Sequence, residues 1–377
     1  MPSVTDAVVA VRELVEQSTR IRLLADVPVG ISLSGGLDSS IIAAVASRLS
    51  EKPVVGVSFT LGNSDQETMA VRDLANHLGP NRISVVTVSV PDKSEMQYAL
   101  EDAIASQGAP MLTLSSVAQY LVYRKAREIG LKVLLSGQGA DEAFMGYRKY
   151  QVAKAREELA NGSFRALLST VFWLIRTLAA DSPSLGVYKS TVNKYYRRKS
   201  LFPQLQLPNS STRSDVLKST STLQREDTSK MGLSTLLRSE DRSSMAHGVE
   251  ARCPFLDHRV IELGVKLQTD FKIRTGYGKW ILRSAFELDL PSNITWARWK
   301  RGFDPGTAKW LEHGAGRCLR DIVGARVEEI ASVLRIPPKL LSSLDFSDIK
   351  LNHSSEHMSL VLALAWIGIT VEPQRTN

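Results

Sequence analysis

The sequence predicts an α/β fold in which a parallel sheet, interleaved with helices over about the first 150 residues, is followed by a mainly helical part. Short apolar runs alternate with helical periodicity at the spacing of βαβ units. Glycine-rich turns follow two of these runs, and helical periodicity dominates after Tyr150. Of the 377 residues, 43% are hydrophobic and 23% are charged. This composition supports a sizeable core and excludes a disordered or collagen-like protein.

The predicted elements follow one another at short intervals. An amphipathic helix occupies residues 1–20. Strands are predicted at Gly30–Ser34, Pro53–Leu61, Arg82–Val90 and Lys132–Ser136, and helices at Ser39–Leu49, Glu67–Leu78 and Val117–Glu128. Residues 21–150 should therefore form one α/β domain and residues 151–377 the helical part. A flexible loop is expected at 208–230, where Ser and Thr are abundant and no apolar period is visible.

Charge and cysteine usage limit the class of protein. The chain has 47 Lys and Arg residues against 39 Asp and Glu residues, a net charge of +8 that suits nucleotides, nucleic acids or simply a solvated basic surface. Cys253 and Cys318 show no CxxC pairing, which argues against a disulfide framework and a zinc site. There is no signal-peptide pattern, and no uninterrupted apolar stretch reaches the roughly 20 residues that span a membrane. We therefore expect a cytoplasmic protein.

The segment Ser34–Ser40 (SGGLDSS) follows the first predicted strand and opens the first helix after it. Its glycines allow a tight turn, and the helix N-terminus offers N–H groups to an anion. The serine hydroxyls add donors, and Asp38 adds a carboxylate of the kind that binds Mg²⁺. The segment is neither GxGxxG nor GxxxxGK[ST], so the dinucleotide and Walker motifs are excluded.

A second small-residue turn, Ser136–Tyr147 (SGQGADEAFMGY), follows the fourth predicted strand. Ligands of parallel sheets bind at the carboxyl ends of strands, where both turns are expected to lie. Asp141 and Glu142 place two adjacent carboxylates just beyond this turn. The first turn, with Asp38, predicts a site for a phosphate-bearing ligand and a divalent cation. The second turn is uninformative by itself, but it adds two carboxylates at the end of another strand.

Two later stretches carry further charges. Asp241–Glu262 interleaves charged and apolar residues and is expected to supply buried ion pairs and helix caps; Asp257 and His258 in particular should form a structural hydrogen-bond pair rather than a metal site. Gly278–Arg283 and Arg298–Phe303 are basic. A lysine near transferring phosphates neutralises developing charge. Considered alone, this basic patch with its tryptophans would also suit a nucleic-acid surface.

These motifs resemble the synthetase domain of the asparagine synthetase family. The segment Ser34–Ser40 looks like the pyrophosphate loop of N-type ATP pyrophosphatases, while Ser136–Tyr147 and Asp241–Glu262 are similar to asparagine synthetase signatures. The resemblance implies the parallel sheet of the ATP-pyrophosphatase fold, with ATP and Mg²⁺ as cofactors. It further implies a carbon–nitrogen ligase that adenylates aspartate or a related carboxylate, releases pyrophosphate and transfers the acyl group to ammonia or an amine.

The resemblance also assigns roles to single residues. The residues implied to bind ATP and pyrophosphate are Ser32, Ser34, Gly35, Gly36, Asp38, Ser39, Ser40, Leu61, Ser136 and Gly137. Those implied to hold Mg²⁺ are Asp38 and Asp141, and those implied to be catalytic are Lys300, Lys279 and Gln138. Many family members carry Glu where Gln138 stands. Because Gln cannot accept a proton but can orient a substrate, this difference puts a base role at the position in doubt.

Several alternatives stay open. Glutamine-dependent members of the family begin with a glutaminase domain that has an N-terminal cysteine, whereas residue 2 here is Pro and the first turn begins at Ser34. We therefore expect that domain to be absent, and nitrogen to come from free ammonia, a separate glutaminase subunit or another amine. Rival functions are a β-lactam synthetase or peptide cyclase, a tRNA-modifying relative, and a non-catalytic nucleotide-binding subunit. Neither nucleic acid nor a membrane is expected as a partner, and a homodimer stays open.

Overall fold

The computed structural model describes residues 3–111, 113–162, 168, 172, 218–229, 232–297, 306–342 and 355–370. The chain forms two compact units, each assembled from three stretches. The helical unit comprises Met1–Ile21, Gly137–Ser234 and Cys253–Lys300, and the sheet unit comprises Arg22–Ser136, Thr235–Arg252 and Arg301–Asn377. The domain boundaries given above from the sequence remain a prediction.

All five strands of the described residues belong to one parallel sheet in the sheet unit. They are β1 (Val29–Ser32), β2 (Val54–Thr60), β3 (Ile83–Ser89), β4 (Val133–Leu135) and β5 (Glu250–Arg252), in the order β3-β2-β1-β4-β5. The predicted parallel α/β architecture is thereby confirmed, and each of the four predicted strands is present. Strand β5 was not predicted, because its three residues (EAR) lack the apolar run that marks a buried strand.

Helices cover most of the remaining described residues. In chain order they are α1 (Val4–Leu23), α2 (Leu37–Leu49), α3 (Gln66–Leu78), α4 (Met96–Ser106), α5 (Ser115–Glu128), α6 (Ala140–Ala143), α7 (Arg148–Ala160), α8 (Thr220–Ser229), α9 (Gly232–Met245), α10 (His258–Lys266), α11 (Thr269–Lys272), α12 (Trp280–Ala285), α13 (Ser292–Thr295), α14 (Thr307–Glu312), α15 (Ala315–Gly324), α16 (Val327–Leu334), α17 (Pro338–Ser342) and α18 (Ser355–Thr370). A short 3₁₀ turn, Pro254–Leu256, precedes α10. The predominance of helix after residue 150 agrees with the predicted mainly helical part.

The core of the sheet unit explains why its sequence reads as apolar runs. Helix α2 is buried along nearly its whole length, from Leu37 to Ser47, because it packs on the sheet rather than facing water on one side. Helix α18 contributes buried residues to the same core, among them Leu362 and Ala365. It is therefore a core helix. Within the described parts of the chain, no helix combines the length and hydrophobicity that crossing a membrane requires.

The structure differs from the sequence-based expectation of a loop at 208–230. Residues 220–229 form α8, whereas 208–217 and 230 lie outside the described residues. Helix α8 buries Leu223, Gln224 and Asp227 along one face. Two of these three residues are polar and bind partners inside the protein, so the helix shows no apolar period in its sequence. Because two residues on its buried face are polar, this helix could not be recognised from apolar periodicity.

Candidate active site

The turn after β1, Ser34–Ser40, is hereafter the phosphate loop. Gly35 has a φ of +69°, and a Cβ atom there would lie 2.5 Å from the carbonyl oxygen of Glu67, so only glycine fits. The Oγ atoms of Ser34 and Ser39 are 3.1 Å apart, and the backbone N–H of Ser34 donates to Ser39 Oγ over 3.2 Å. These contacts fold the loop back over the first turn of α2 and hold both hydroxyls beside the helix N-terminus.

The phosphate loop has the donors and the space that an anion requires. No side chain of the described residues caps the N-terminus of α2, which begins at Leu37. A Cβ atom on Gly36 would meet only Ser34 Oγ, at 3.4 Å, so the position borders open space. The buried Oγ of Ser40 has no hydrogen-bond partner among the described residues. An uncapped helix N-terminus, clustered hydroxyls and a glycine-lined space are the features that accommodate a phosphate group.

Other residues predicted to bind nucleotide lie at the same edge of the sheet. Ser32 is the last residue of β1, Leu61 follows β2 and Ser136 follows β4. The three strands are adjacent and parallel, so their carboxyl ends meet at one edge. The chain winds from β1 through β2 to β3 on one side, while β4 and β5 lie on the other. Strand order therefore reverses between β1 and β4, the place where ligands of such sheets bind.

Packing from later in the chain supports the end of β2. A Cβ atom on Gly306 would lie 2.3 Å from Leu61 Cδ1, so the residue before α14 lies directly against Leu61. The rings of Phe59 and Trp310 stack with centroids 5.9 Å apart. Contacts of this kind fix the turn after β2 in place, and the glycine at position 306 is needed for the close approach.

In the helical unit, Asp141 and Lys279 form a close ion pair. The Nζ atom of Lys279 lies 2.7 Å from Asp141 Oδ1, and only 5% of the lysine side chain is exposed. Lys279 adopts a left-handed backbone with φ of 54°, and its N–H donates to the carbonyl of Phe144. A Cβ atom on Gly146 would lie 1.8 Å from Asp141 Oδ1 and 2.2 Å from Lys279 Cε, so glycine alone leaves room for this pair. A strained lysine held on a carboxylate is a frequent feature of functional sites.

Glu142, next to Asp141, is buried and takes part in a second interaction. The hydroxyl of Tyr147 donates to Glu142 Oε1 over 2.5 Å. Burial raises the pKa of Glu142; the hydrogen bond from Tyr147 opposes that rise, and the charge of Asp141 adds to it. Burial also raises the pKa of the Tyr147 hydroxyl, with Asp141 and Glu142 reinforcing the shift. Tyr147 therefore remains a hydrogen-bond donor at neutral pH. We name Asp141, Glu142, Tyr147 and Lys279 the carboxylate cluster.

Tyr150 and Asp227 extend this polar interior. The buried hydroxyl of Tyr150 donates to Asp227 Oδ2, and Lys149 Nζ lies 2.6 Å from Asp227 Oδ1. The ring centroids of Tyr147 and Tyr150 are 6.1 Å apart. Charge-assisted hydrogen bonds thus join α8 to α7. They hold the first turn of α7, which Tyr147 directly precedes.

The remaining predicted residues divide between the two units. Gly137 and Gln138 continue the chain from Ser136 into the helical unit, where Gln138 is half-buried. Asp38 lies in the first turn of α2 in the sheet unit and is half-buried. Lys300 lies outside the described residues, with the rest of 298–305. Among the predicted site residues of the helical unit, the structure thus brings Asp141 and Lys279 into contact.

The charged stretch Asp241–Glu262 supplies caps and ion pairs, as the sequence predicts. Asp257 accepts from the backbone N–H of Arg259 at the start of α10 and also binds the guanidinium of Arg259 over 2.9 Å. His258 is 80% exposed and its Nδ1 lies 3.7 Å from Asp257 Oδ1, which is too far for a hydrogen bond. The predicted hydrogen-bond pair of these two residues is therefore wrong, because Asp257 binds Arg259 instead. Glu240, the residue just before this stretch, has a buried carboxylate that accepts from the Tyr123 hydroxyl over 2.9 Å. These residues have structural roles.

No group of three His, Cys, Asp or Glu side chains able to hold a metal ion exists among the described residues. A divalent cation bound by the described residues would therefore take much of its coordination from ligand oxygens, with carboxylates such as Asp141 or Asp38 adding to them. Mg²⁺ usually binds in this way, through one or two carboxylates and substrate phosphates. The donor chemistry of these carboxylates fits Mg²⁺ that binds together with a nucleotide.

Two buried residues of the helical unit were missed by the sequence analysis. Gln224 and Lys272 are each about 1% exposed and hydrogen-bonded to one another. The one available signal was a lysine between apolar residues in the segment DFKIR, at 270–274. A lysine in such a segment usually extends its amine to water, so the pattern alone does not indicate burial.

Comparison with known proteins agrees with these observations. A family model described as asparagine synthase matches residues 10–367. The glutamine-hydrolyzing asparagine synthetase 1 of Bacillus subtilis is 28% identical over 391 aligned residues, which cover 96% of this chain and 59% of the relative. Asparagine synthetase B of Escherichia coli is 27% identical, with 84% and 48% covered, and the Gallus gallus enzyme is 28% identical, with 85% and 47% covered. The chain therefore spans about half the length of these curated relatives.

Proposed function

Because the chain belongs to the asparagine synthase family, we propose that it is an ATP-dependent ligase that forms a carbon–nitrogen bond. In the proposed reaction a substrate carboxylate attacks the α-phosphate of ATP and pyrophosphate leaves. Ammonia or an amine then attacks the acyl carbon of the adenylate, an amide forms and AMP leaves. The observation that carries the proposal is the phosphate loop, at the carboxyl edge of a parallel sheet in a chain of this family.

The sheet unit is proposed to bind the nucleotide. The N–H groups at the start of α2 and the hydroxyls of Ser34, Ser39 and Ser40 would hold the β- and γ-phosphates that leave as pyrophosphate. Backbone groups of Leu61 and Ser136, at the ends of β2 and β4, would contact the rest of the nucleotide, as would Ser32 and Gly137. Support comes from the open space at Gly36 and from the Ser40 hydroxyl, which has no hydrogen-bond partner in the described part of the chain.

The acidic and basic side chains are proposed to bind Mg²⁺ and to neutralise negative charge on the phosphates. Asp38 and Asp141 would hold Mg²⁺, which when bound neutralises charge on the phosphates. Lys279 would donate to the pyrophosphate, and its ion pair with Asp141 orients the ammonium until then. Lys300 is proposed to stabilise the charge that develops during adenylation. Gln138 can orient a substrate by hydrogen bonds without accepting a proton.

The proposal is tested by measuring AMP and pyrophosphate released from ATP and Mg²⁺. The assay uses aspartate and a panel of other carboxylic acids, each with and without ammonium. Amine-dependent AMP formation with aspartate would identify an ammonia-using asparagine synthetase. AMP formation with another acid would identify a tailoring ligase of the β-lactam synthetase or cyclase type. ATP binding without AMP formation across the panel would contradict the proposed catalysis and favour a nucleotide-binding subunit that needs a partner.

A pair of lysine variants supplies the control. Lys300→Ala is expected to reduce AMP formation at least 100-fold while the unfolding temperature stays unchanged, because the lost charge acts only in the transition state. Lys266→Ala, which removes a lysine whose side chain is 75% exposed, is expected to behave as the wild type. Near-normal turnover of Lys300→Ala would refute the assigned role.

A further inference from the structure

Gln224 on α8 and Lys272 on α11 form a buried pair that the proposed reaction does not use. The Nζ atom of Lys272 donates to Gln224 Oε1 over 2.7 Å and to the carbonyl oxygen of Gly264 over 2.8 Å. Both of these partners are neutral oxygens, and the side chain is almost fully buried. Burial lowers the pKa of Lys272 to about 7. Burying an amine in such surroundings lowers the free energy of unfolding, so we expect the hydrogen bonds of Lys272 to have a structural or functional role.

Lys272 and two backbone carbonyls together set the orientation of the Gln224 amide. The carbonyl oxygens of Glu142 and Ala143 can only accept, so the amide nitrogen Nε2 must face them. It donates to the carbonyl oxygen of Ala143 over 2.6 Å and lies 3.1 Å from that of Glu142. The amide oxygen Oε1 is then left to accept from Lys272. The lysine thereby reinforces the one orientation that can bind these carbonyls.

The carbonyls that Gln224 binds belong to α6, the four-residue helix that carries Asp141. The last carbonyls of any helix lack partners within it, and in so short a helix they include those of Glu142 and Ala143. Helix α10 also lies against this point, because a Cβ atom on Gly264 would be 2.5 Å from the Ala143 oxygen. The end of α6 is thus held by Gln224 and Gly264, and both are held in turn by Lys272.

We propose that Gln224 and Lys272 are positioning residues that hold α6 so that Asp141 presents its carboxylate to the Mg²⁺ of bound ATP. The inference rests on the proposed function, in which Asp141 is a magnesium ligand. Gln224 acts through the backbone of Glu142 and Ala143, directly after Asp141, and Lys272 acts through Gln224. Their loss should therefore weaken the contribution of Mg²⁺ to ATP binding and leave Mg²⁺-free ATP binding unchanged.

The variant Gln224→Glu separates the two contacts of the side chain. A carboxylate still accepts from Lys272, but it cannot donate to the carbonyls of Glu142 and Ala143. Titration calorimetry with ATP, at a series of Mg²⁺ concentrations and in EDTA, gives the half-saturating Mg²⁺ concentration and the Mg²⁺-free affinity. We expect the former to rise at least 10-fold and the latter to stay within twofold of the wild type. Gln268→Glu, an exposed Gln-to-Glu change, is the matched control and should alter neither value.

A second variant, at Lys272, tests the inference independently of Gln224→Glu. Lys272→Met removes the donor that orients the amide and should shift the half-saturating Mg²⁺ concentration in the same direction but by less, because Gln224 can still reach the carbonyls part of the time. Lys266→Met, at an exposed lysine, is its control. If Gln224→Glu does not fold, as judged by circular dichroism, Lys272→Met decides.

The outcomes are distinguishable. A selective loss of the Mg²⁺ effect in folded Gln224→Glu or Lys272→Met supports the inference. A wild-type response to Mg²⁺ in both variants overturns it, and so does an equal loss of affinity with and without Mg²⁺, since that indicates a general structural role. ATP binding by the wild type that is unaffected by Mg²⁺ would overturn the magnesium role of Asp141 in the proposed function, and this inference with it.

Discussion

The phosphate loop and the carboxylate cluster hold their polar groups in different ways. The loop is local: seven consecutive residues, two of them glycines, place hydroxyls and N–H groups beside open space. The cluster joins three residues of the segment 141–147 to Lys279, which lies more than 130 residues later in the chain, and Lys279 already neutralises Asp141. The glycines show the difference most clearly, because a Cβ atom on Gly36 would meet only Ser34 Oγ, whereas one on Gly146 would overlap the side chains of Asp141 and Lys279. Substitutions in the loop should therefore change ligand binding, and substitutions in the cluster should change stability as well.

The largest effect is expected for Gly146→Ala. The added methyl group would lie 1.8 Å from Asp141 Oδ1 and 2.2 Å from Lys279 Cε, so one of these side chains must move. We expect the free energy of unfolding to fall by about 3 kcal/mol or more, at the upper end of overpacking effects. Urea denaturation followed by circular dichroism measures this change.

The control for Gly146→Ala is Gly232→Ala in the same unit. A Cβ atom there would come no closer than 3.7 Å to its neighbours, which is ordinary van der Waals contact. This variant should keep the wild-type stability within about 0.5 kcal/mol, as most unobstructed substitutions do. Equal stability of the two variants would show that the cluster has more freedom than its geometry indicates.

A loss of stability no larger than that of Gly146→Ala is expected when the ion pair is broken from one side. Lys279→Met leaves the carboxylate of Asp141 without this partner in a half-buried position, which should cost about 3 kcal/mol, the low end for breaking a buried pair. Adding Asp141→Asn removes the remaining negative charge and should recover at least about half of that loss. Denaturant unfolding of the four proteins of this double-mutant cycle gives the coupling energy.

The same cycle separates stability from the proposed chemistry. The double variant, although more stable than Lys279→Met, should form no more AMP than either single variant, because both charged groups are assigned to the phosphates and Mg²⁺. Recovery of AMP formation in parallel with stability would mean that the pair is only structural. A coupling energy near zero would mean that the two groups do not interact in solution.

Whether a feature depends on consecutive residues or on residues far apart in the chain also explains how much of the fold and of the site could be predicted from the sequence. Four of the five strands, three of the four helices between β1 and β4, and the turn of the phosphate loop were predictable because each depends on a few consecutive residues, such as the apolar run before Ser34. The pairing of Lys279 with Asp141 was not, because 138 residues separate them along the chain. The family resemblance assigned both residues to the site without indicating that they bind each other. Gln224 escaped notice because a polar residue on a buried helix face leaves no periodic signal.

The smallest change in stability, combined with a clear change in binding, is expected for Gly36→Ala. The residue has a φ of −75° and a ψ of 163°, which alanine adopts readily, and the added methyl group would meet only Ser34 Oγ at 3.4 Å. Loss of glycine flexibility in the unfolded chain favours the variant, while alanine is a poorer residue than glycine before a helix, so the free energy of unfolding should change by less than about 1 kcal/mol.

The methyl group on residue 36 would nevertheless occupy the space assigned to a phosphate. We expect ATP affinity, measured by titration calorimetry, to fall at least 10-fold, and the affinity for adenosine, which lacks phosphates, to stay unchanged. Equal losses for ATP and adenosine would place the effect outside the phosphate subsite. Unchanged ATP affinity would contradict the assignment of the loop itself, because a group that binds against these N–H donors cannot tolerate an extra carbon beside them.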